Sequence, residues 1–529
     1  MGVPGRGWDR PVTTSLPRRA FVAGAAGLGL GLSGAPALVE AAPRIEHPFT
    51  LGIASGDPEP TGFVLWTRLA PEPFADDFGM GGARRVPVRW QVATDERMRH
   101  VVARGVAAAE ARWAHSVHVD VQGLQPDREY FYRFFVGREA SAVGRARTAP
   151  AAGADASELR FASMSCQKYE DGFFSSFPHV LADDPHFVLH LGDYVYEYAM
   201  GATAGYRGTP VPEVCRPAPR TLTQWRARHA LYKQDEQLQA LHAKVPFITT
   251  WDDHEYTNDY AGGWEDEQPG GAPAARAAAY QAYWEHQPLR AALLVKQDAV
   301  RIYRRLHWGS LAQVDMLDGR QYRDAPPCGW GEAQACAAAY DPSITMLGAE
   351  QEQWLAAGIA ASTARWNIFG NNVMVARLDH DGDLGDLLWH DAWDGFPAAR
   401  NRLLEQVVGA GLSNPVFVTG DWHSTFVNDI HRDFDTPGSP VVATEFVGTS
   451  ISTNGDGTPY GPYYGPMIRY NPHMKFFDGD RRGYQRHVVT ADEWRTDLVM
   501  VDTVGRPDSP AEVLRSFVVE DGRPGAIEV

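Results

Sequence analysis

The chain has 529 residues, 44% of them hydrophobic and 22% charged, with a formal net charge of −17. That length exceeds what one core supports and calls for two or more domains, while the composition excludes a fibrous or disordered protein. The acidic balance excludes a broad nucleic-acid surface, because phosphate backbones select clustered Lys and Arg.

Residues 1–42 read as an export signal. Arg18 and Arg19 precede an apolar run from Phe21 to Leu38 rich in Ala, Gly and Leu, and Ala41 and Ala42 offer a cleavage point. A twin arginine before a weakly hydrophobic, Gly-rich core suits the Tat route, so the Tat machinery is an expected partner and a periplasmic or secreted location follows. The alternative is a short membrane anchor, the run lying at the short limit of the roughly 20 residues a span needs. No later stretch reaches that length, so no span is expected after processing.

From 45 to 148 the text is strand and turn. FVLWTRL, VRWQVAT, HSVHVDV and EYFYRFFVG alternate and are separated at short intervals by Pro, Gly and Asp. An immunoglobulin- or fibronectin-like β-sandwich is expected, serving either as a binding module or as a packing partner. The small-residue segment 151–158 is a linker. Beyond it, over 158–510, apolar strands alternate with the helical patterns GFFSSFPHVLAD, LTQWRARHALYKQDEQLQALHA, AARAAAYQAYWEHQP, LGAEQEQWLAAGIAAS and FPAARNRLLEQVVGAG. The fold class is α/β, a sheet covered by helices.

Six of these strands stop on residues able to bind or line a metal site: Cys166, Asp193 with Tyr196, Asp253 with His254, Arg320, Asn371, and Asp421 with His423. In an open α/β sheet ligand sites gather at the carboxyl ends of strands, so the series points to one crevice. Asp193 offers a carboxylate able to bridge two cations. Tyr196 can bend its phenol back to the same centre, which calls for a hard, highly charged ion such as Fe³⁺. Asp253 suits a hard cation, and whether it or Asp252 is the ligand stays open. His254 can donate a proton to a leaving oxygen or steady a phosphoryl oxygen. Asp421 and His423, two apart, point to one side of an extended backbone. Cys166 is a thiolate ligand, an inert buried thiol, or a nucleophile with His254 as base; the carboxylates around it oppose the last by raising its pKa. Such an anionic set needs one trivalent ion with one or two divalent ions, the combination of two-metal phosphoester hydrolysis.

Cys328 and Cys336 can pair, or either can pair with Cys215; Cys166 is left over in each case.

Taken together, LGIASGDP, FVLWTRL, SCQ, LGDYVYEY, RARHALY, TWDDHE, AAAYQAYWEHQPLR, DGRQYRD, AWDGFPAAR, GDWH, EFVGTSI and NPHMKFFDGDRRGY closely resemble the PhoD-like alkaline phosphatase family. Phospholipase D enzymes of that family and, more distantly, purple acid phosphatases share parts of the pattern. The resemblance implies a Tat-exported phosphomonoesterase or phosphodiesterase, an immunoglobulin-like domain and a metallophosphoesterase αββα sandwich. It implies that Cys166, Asp193, Tyr196 and His423 hold Fe³⁺, that Asp193 bridges, and that Asp253 and Asp421 hold one or two Ca²⁺. His254 would meet the phosphate, with Arg320 and Arg323 as further candidates to hold phosphate or substrate, or else as salt bridges. Expected substrates are small phosphoesters, and phospholipid or polymeric diesters in a phospholipase D-type alternative. A secreted, non-catalytic binding protein with a structural metal is the remaining alternative.

Overall fold

The computed structural model describes residues 45–529 apart from 266–267, 270–271, 297–298, 383–385 and 458–463, so the expected export signal over 1–42 lies outside the described residues. Between 45 and 148 two antiparallel layers form. Ile53–Glu59, Gly62–Arg68 and Ser116–Val121 make one, and Arg85–Ala93, Val101–Glu110, Glu129–Val136, Glu139–Ala140 and Gly144–Arg147 the other. The alternation read in the sequence decides which residues face inward: Tyr130, Tyr132, Phe134 and Val136 are buried along one strand and share a cluster with Phe63, Leu65, Val86 and Val88. The strand Val101–Glu110 escaped the reading because its Val102 and Val106, 53% and 66% exposed, have no apolar face to announce.

The first of these layers is continuous with the rest of the molecule. Ile53–Glu59 pairs in parallel with Phe247–Thr249 at Gly56 and Phe247, which makes it part of a ten-stranded sheet. Gly56 permits the join: a Cβ there would lie 2.5 Å from the Pro288 oxygen and 2.6 Å from that of Phe247.

Within the ten-stranded sheet, Leu159–Met164, Phe187–His190 and Phe247–Thr249 run parallel. A seven-stranded sheet holds Ala312–Met316, Trp366–Asn371, Pro415–Thr419 and Val441–Val447, also parallel. These strands are buried on both faces, so successive side chains serve different layers. Phe161, Leu189, Ile248, Val314, Ile368, Val416, Val418 and Phe446 meet between the sheets. Ala162, Val188 and Phe247 face outward onto residues of the helices Leu222–Lys233, Glu236–Lys244 and Pro273–His286. Phe369, Phe417 and Val447 do the same toward Ala349–Ala361 and Pro397–Gly409. The result is helix, sheet, sheet, helix. Truncating one of the buried aromatics, such as Phe417, to Ala costs about 3–5 kcal/mol.

Three details refine the expectations. The long pattern from Leu222 is two helices, because Asp235 accepts a hydrogen bond from the Leu238 amide at 2.9 Å and caps a new start. Ala511–Glu520 and Arg523–Glu528 join the ten-stranded sheet beyond residue 510. Cys328 is bonded to Cys336, leaving Cys166 and Cys215 as buried thiols.

Candidate metal centre

Because the strands in each set run parallel, their carboxyl ends open on one side, and the loops there are tightly bent. Cys166, Asp193, Asp421 and His423 take left-handed φ values of 60°, 56°, 70° and 53°. Non-glycine residues persist there only where surrounding bonds fix them, at a cost on the order of 1–3 kcal/mol each. The Cys166 amide donates to the Gly192 carbonyl at 3.2 Å. Glu255, fully buried, accepts the amides of Asp193 (3.1 Å), Tyr194 (2.6 Å) and Asp252 (2.8 Å). Gly192 itself has φ 117°, and a Cβ there would come within 2.3 Å of the Asp252 Cβ.

These turns bring seven of the expected residues together. Ligand atoms within 4.8 Å of one another form three groups: Cys166, Asp193 and His423; Asp193, Asp253 and His254; and Asp252, Asp253 and Asp421. Asp193 and Asp253 are shared, so the groups are contiguous. The Tyr196 hydroxyl adds to the first, donating to Asp193 Oδ2 at 2.7 Å and lying 3.3 Å from His423 Nε2. Asn371 does not join; its amide turns to the Val373 carbonyl at 2.5 Å.

The cluster carries more acceptors than donors. Asp193 Oδ1, Asp252 Oδ2 and Asp253 Oδ1 are buried and accept no hydrogen bond, the last having Arg320 Nη2 at 3.4 Å as an ion-pair partner; such an oxygen costs about 1–3 kcal/mol or more unless something cationic meets it. Burial, then neighbouring negative charge, raises the pKa of Cys166 and Tyr196. Burial likewise raises Asp252 and Asp421. Asp253 alone is held down: burial opposes its charge, but Arg320 and then His254 outweigh it. Each upward shift favours the protonated form, and a bound cation inverts that preference. Carboxylate and phenol oxygens, one sulfur and imidazole nitrogens are a donor set for hard and borderline ions.

His254 is set apart from the rest by its second nitrogen. Its Nδ1 bonds Glu197 Oε2 at 2.8 Å, and its ring lies 4.2 Å from that of Tyr196. Burial disfavours its charge, yet Glu197, Asp253 and Asp193 together raise its pKa well above the usual histidine value. Arg320 and Arg323 have protein partners instead of open space. Arg320 is fully buried; its Nε bonds Asp252, its Nη1 bonds Asp391 at 2.7 and 2.8 Å, and its Nη2 lies 3.4 Å from Asp253 and Asp421. Arg323 Nη2 meets Asp391 Oδ1 at 2.5 Å and the carbonyls of Asp259 and Tyr260. A buried guanidinium is drawn to carboxylates, so this geometry favours bracing of the acidic loops over the phosphate contact expected of both.

Other supporting residues went unread. Glu197 and Glu255 stand inside the quoted motifs, one residue after a proposed ligand or base, but nothing in the string says where their carboxylates turn. Thr453 Oγ1 lies 2.8 Å from the Tyr196 hydroxyl and 2.7 Å from the Cys166 carbonyl oxygen, and Asn454 Nδ2 is 3.2 Å from His423 Nδ1. Neither carries a sequence signal.

A four-layer α/β fold with this acidic crevice at its strand ends is that of a phosphatase. The family model described as PhoD-like phosphatase matches residues 161–498, and that of the PhoD-like phosphatase N-terminal domain matches 34–150, so the chain belongs to the PhoD-like phosphatase family and is a phosphoester hydrolase. Among its relatives, alkaline phosphatase D of Bacillus subtilis (strain 168) is 39% identical over 531 residues, covering 97% of this chain and 89% of that protein. A solved structure described as "Structure of PhoD" matches with a TM-score of 0.86 and 39% identity, over 91% of this chain and 92% of that one. Among the described residues no helix is long and apolar enough to cross a membrane.

Proposed function

We propose that the chain is an exported alkaline phosphatase that releases phosphate from phosphomonoesters, and from phosphodiesters as well, at a centre of one Fe³⁺ with one or two Ca²⁺. The observation that carries this reading is the set of buried carboxylate oxygens on Asp193, Asp252 and Asp253 that no hydrogen bond satisfies. Cys166, Asp193, Tyr196 and His423 would hold the iron, Asp193 belonging also to the neighbouring ligand group and so being able to serve both ions. Asp253 and Asp421 hold calcium, and Asp253 is preferred over Asp252 because it belongs to two of the three ligand groups. When bound, the metals supply Lewis-acid polarisation of phosphoryl oxygens and activation of water.

The chain's own part is positioning and proton supply. Glu197 accepts from His254 Nδ1 and, with Asp253 and Asp193, favours the imidazolium form, whose Nε2–H can be presented to a phosphoryl or leaving-group oxygen. Arg320 and Arg323, through Asp391, keep the Asp252–Asp253 loop and Asp421 in register. Residues 45–148 act as an immunoglobulin-like sandwich that packs on the metallophosphoesterase domain beginning at 158, and residues 1–42 direct Tat export.

Elemental analysis of purified protein beside hydrolysis of an aryl phosphate tests the centre. Iron near one per chain, calcium at one or two, and activity abolished by chelation are expected; zinc in their place defeats the assignment. Phosphatidylcholine turnover exceeding that of the monoester would shift the reading to a phospholipase D-type diesterase. For export, Arg18→Lys with Arg19→Lys retains the protein in the cytoplasm, and unimpaired export refutes the Tat reading.

A further inference from the structure

His254 marks where a departing group must begin. Its Nδ1 is held by Glu197 Oε2 at 2.8 Å, so Nε2 is the nitrogen that meets the leaving oxygen, and the alcohol on that oxygen lies beside the imidazole. Two tyrosine rings touch this imidazole: Tyr196, with centroids 4.2 Å apart, and Tyr198, at 5.2 Å with the planes inclined by 61°. Their surroundings differ. Tyr196 is 1% exposed, and its hydroxyl is engaged by Asp193 and Thr453. Tyr198 is 42% exposed.

Tyr198 does not swing freely. Its hydroxyl donates to Asn258 Oδ1 at 3.1 Å, and the Asn258 amide donates to Glu197 Oε1 at 2.9 Å. One carboxylate thus holds the His254 ring through one oxygen and the anchor of Tyr198 through the other. At the backbone end, the Tyr198 carbonyl accepts from Arg228 Nη2 at 2.9 Å. An aromatic side chain fixed at both ends loses little conformational entropy when another ring packs on it.

The charge nearby does not point to a second phosphate. The Lys168 ammonium lies 5.5 Å from the centre of the Tyr198 ring and 5.9 Å from that of Tyr196, but it pairs with Asp171 at 3.3 Å. Its counter-charge is supplied within the chain, so what an incoming alcohol meets beside His254 is aromatic surface. The other exposed aromatics among the described residues, Tyr206, Trp264 and Tyr340, make no ring contact with a residue of the centre.

We propose that Tyr198 is the platform of a leaving-group subsite, which favours phosphoesters whose departing alcohol carries a planar aromatic ring close to the leaving oxygen over aliphatic alcohols of equal size. The incoming ring packs on Tyr198 in offset or edge-to-face fashion while His254 supplies the proton. Stacking of this kind reads planarity and not a hydrogen-bond pattern, so many aryl-bearing alcohols qualify. The inference rests on the reading of His254 as the group that meets the leaving oxygen, and it is indifferent to which metals fill the centre.

Benzyl phosphate and cyclohexylmethyl phosphate provide the test, because they release primary alcohols of similar size and acidity. The wild-type enzyme should show a kcat/KM higher for the benzyl ester by about tenfold, the order of one stacking contact. In Tyr198→Leu that ratio should fall close to unity, while Tyr198→Phe, which keeps the ring, should retain it. A wild-type ratio near unity overturns the proposal whether or not the leucine variant folds. So does a ratio unchanged in Tyr198→Leu, or one lost equally in Tyr198→Phe. His254→Asn acting on both esters as fast as the wild type would instead remove the His254 reading on which the subsite depends, a failure distinct from any change in the Tyr198 ratios.

Discussion

On one side of Tyr194 the loops hold Asp193, Asp252, Asp253 and Asp421 around a single invading arginine, whereas at its hydroxyl the helices hold Arg68 and Lys233 among neutral histidines. Both regions are buried, and both leave polar atoms without partners. They differ in the groups they gather: the first collects carboxylates, and the second collects basic side chains, Arg68 and Lys233, with buried imidazoles. The first is built on strained turns at strand ends, and the second on regular helices and the end of one strand. Strain is kept where geometry must be exact enough for chemistry, while merely structural basic groups are held by relaxed backbone.

That contrast can be broken most directly at its acidic pole. Asp193→Asn should lower kcat/KM by about 10³–10⁴-fold, the loss expected when a shared ligand of both metals goes, and elemental analysis should show depleted iron and calcium. Retention of both metals with full activity would dissolve the distinction. Next in size, Arg320→Met leaves three acidic loops without their brace and should cost about 3–5 kcal/mol in urea denaturation, as broken buried pairs do. A change within 1 kcal/mol would mean that the metals alone organise the loops.

A third test uses pH on metal-depleted protein. Asp259 is pushed up to about 8 by burial and by Asp391 and Asp253, and Asp252, Asp421 and His254 are also raised. Groups that hold protons more tightly when folded stabilise the fold at low pH and lose that contribution as pH climbs. For the carboxylates the loss begins near 4, and for Asp259 it is complete by about 8. Asp253, lowered, contributes a constant amount across this range, whereas buried histidines such as His229, His242 and His286, whose pKa values burial lowers, gain stability as pH rises through about 6.5 and work against the trend equally with and without metal. Raising pH from 6 to 9 should therefore lower the melting temperature of metal-free protein relative to metal-loaded protein, and reloading metal should remove the difference; equal profiles with and without metal would show the cluster already neutral. Glu197→Gln should reduce kcat by about tenfold with metal content intact, in the range seen for partners that orient site histidines, and should shift the pH profile of kcat. Smallest of all, Thr453→Val removes the hydroxyl that meets Tyr196, the Cys166 carbonyl and the Lys168 amide, for about 1–2 kcal/mol of thermal stability.

Much of the acidic pole was readable because its residues follow short apolar strands that pair in parallel, so their carboxyl ends gather on one side; the extended backbone expected at Asp421 and His423 is instead a turn in which both take left-handed φ. Cys166, Asp193, Asp253 and His423 all obey that rule. Tyr196 was readable from coordination chemistry once Asp193 was placed. Arg320 and Arg323, expected to hold phosphate or else to form salt bridges, turn toward Asp391, which lies in a distant loop without periodic signal. The basic pole was invisible for a different reason. His229 and Lys233 lie in a helix whose text looks amphipathic, and tertiary packing buries them, Lys233 against Trp66 and Tyr194 and His229 against Tyr194, Tyr283 and His286. The N-terminal strands were legible as strands, yet the merging of one layer into the main sheet rests on a single register contact that no local pattern encodes.

That contact has a practical outcome for anyone handling the gene. A fragment beginning at residue 158 would strip Ile53–Glu59 from Phe247–Thr249 and leave a raw strand edge just ahead of Asp253. Such edges recruit other chains, so the shortened product should precipitate or cross-pair, and useful truncations or fusions must carry the amino-terminal strands along.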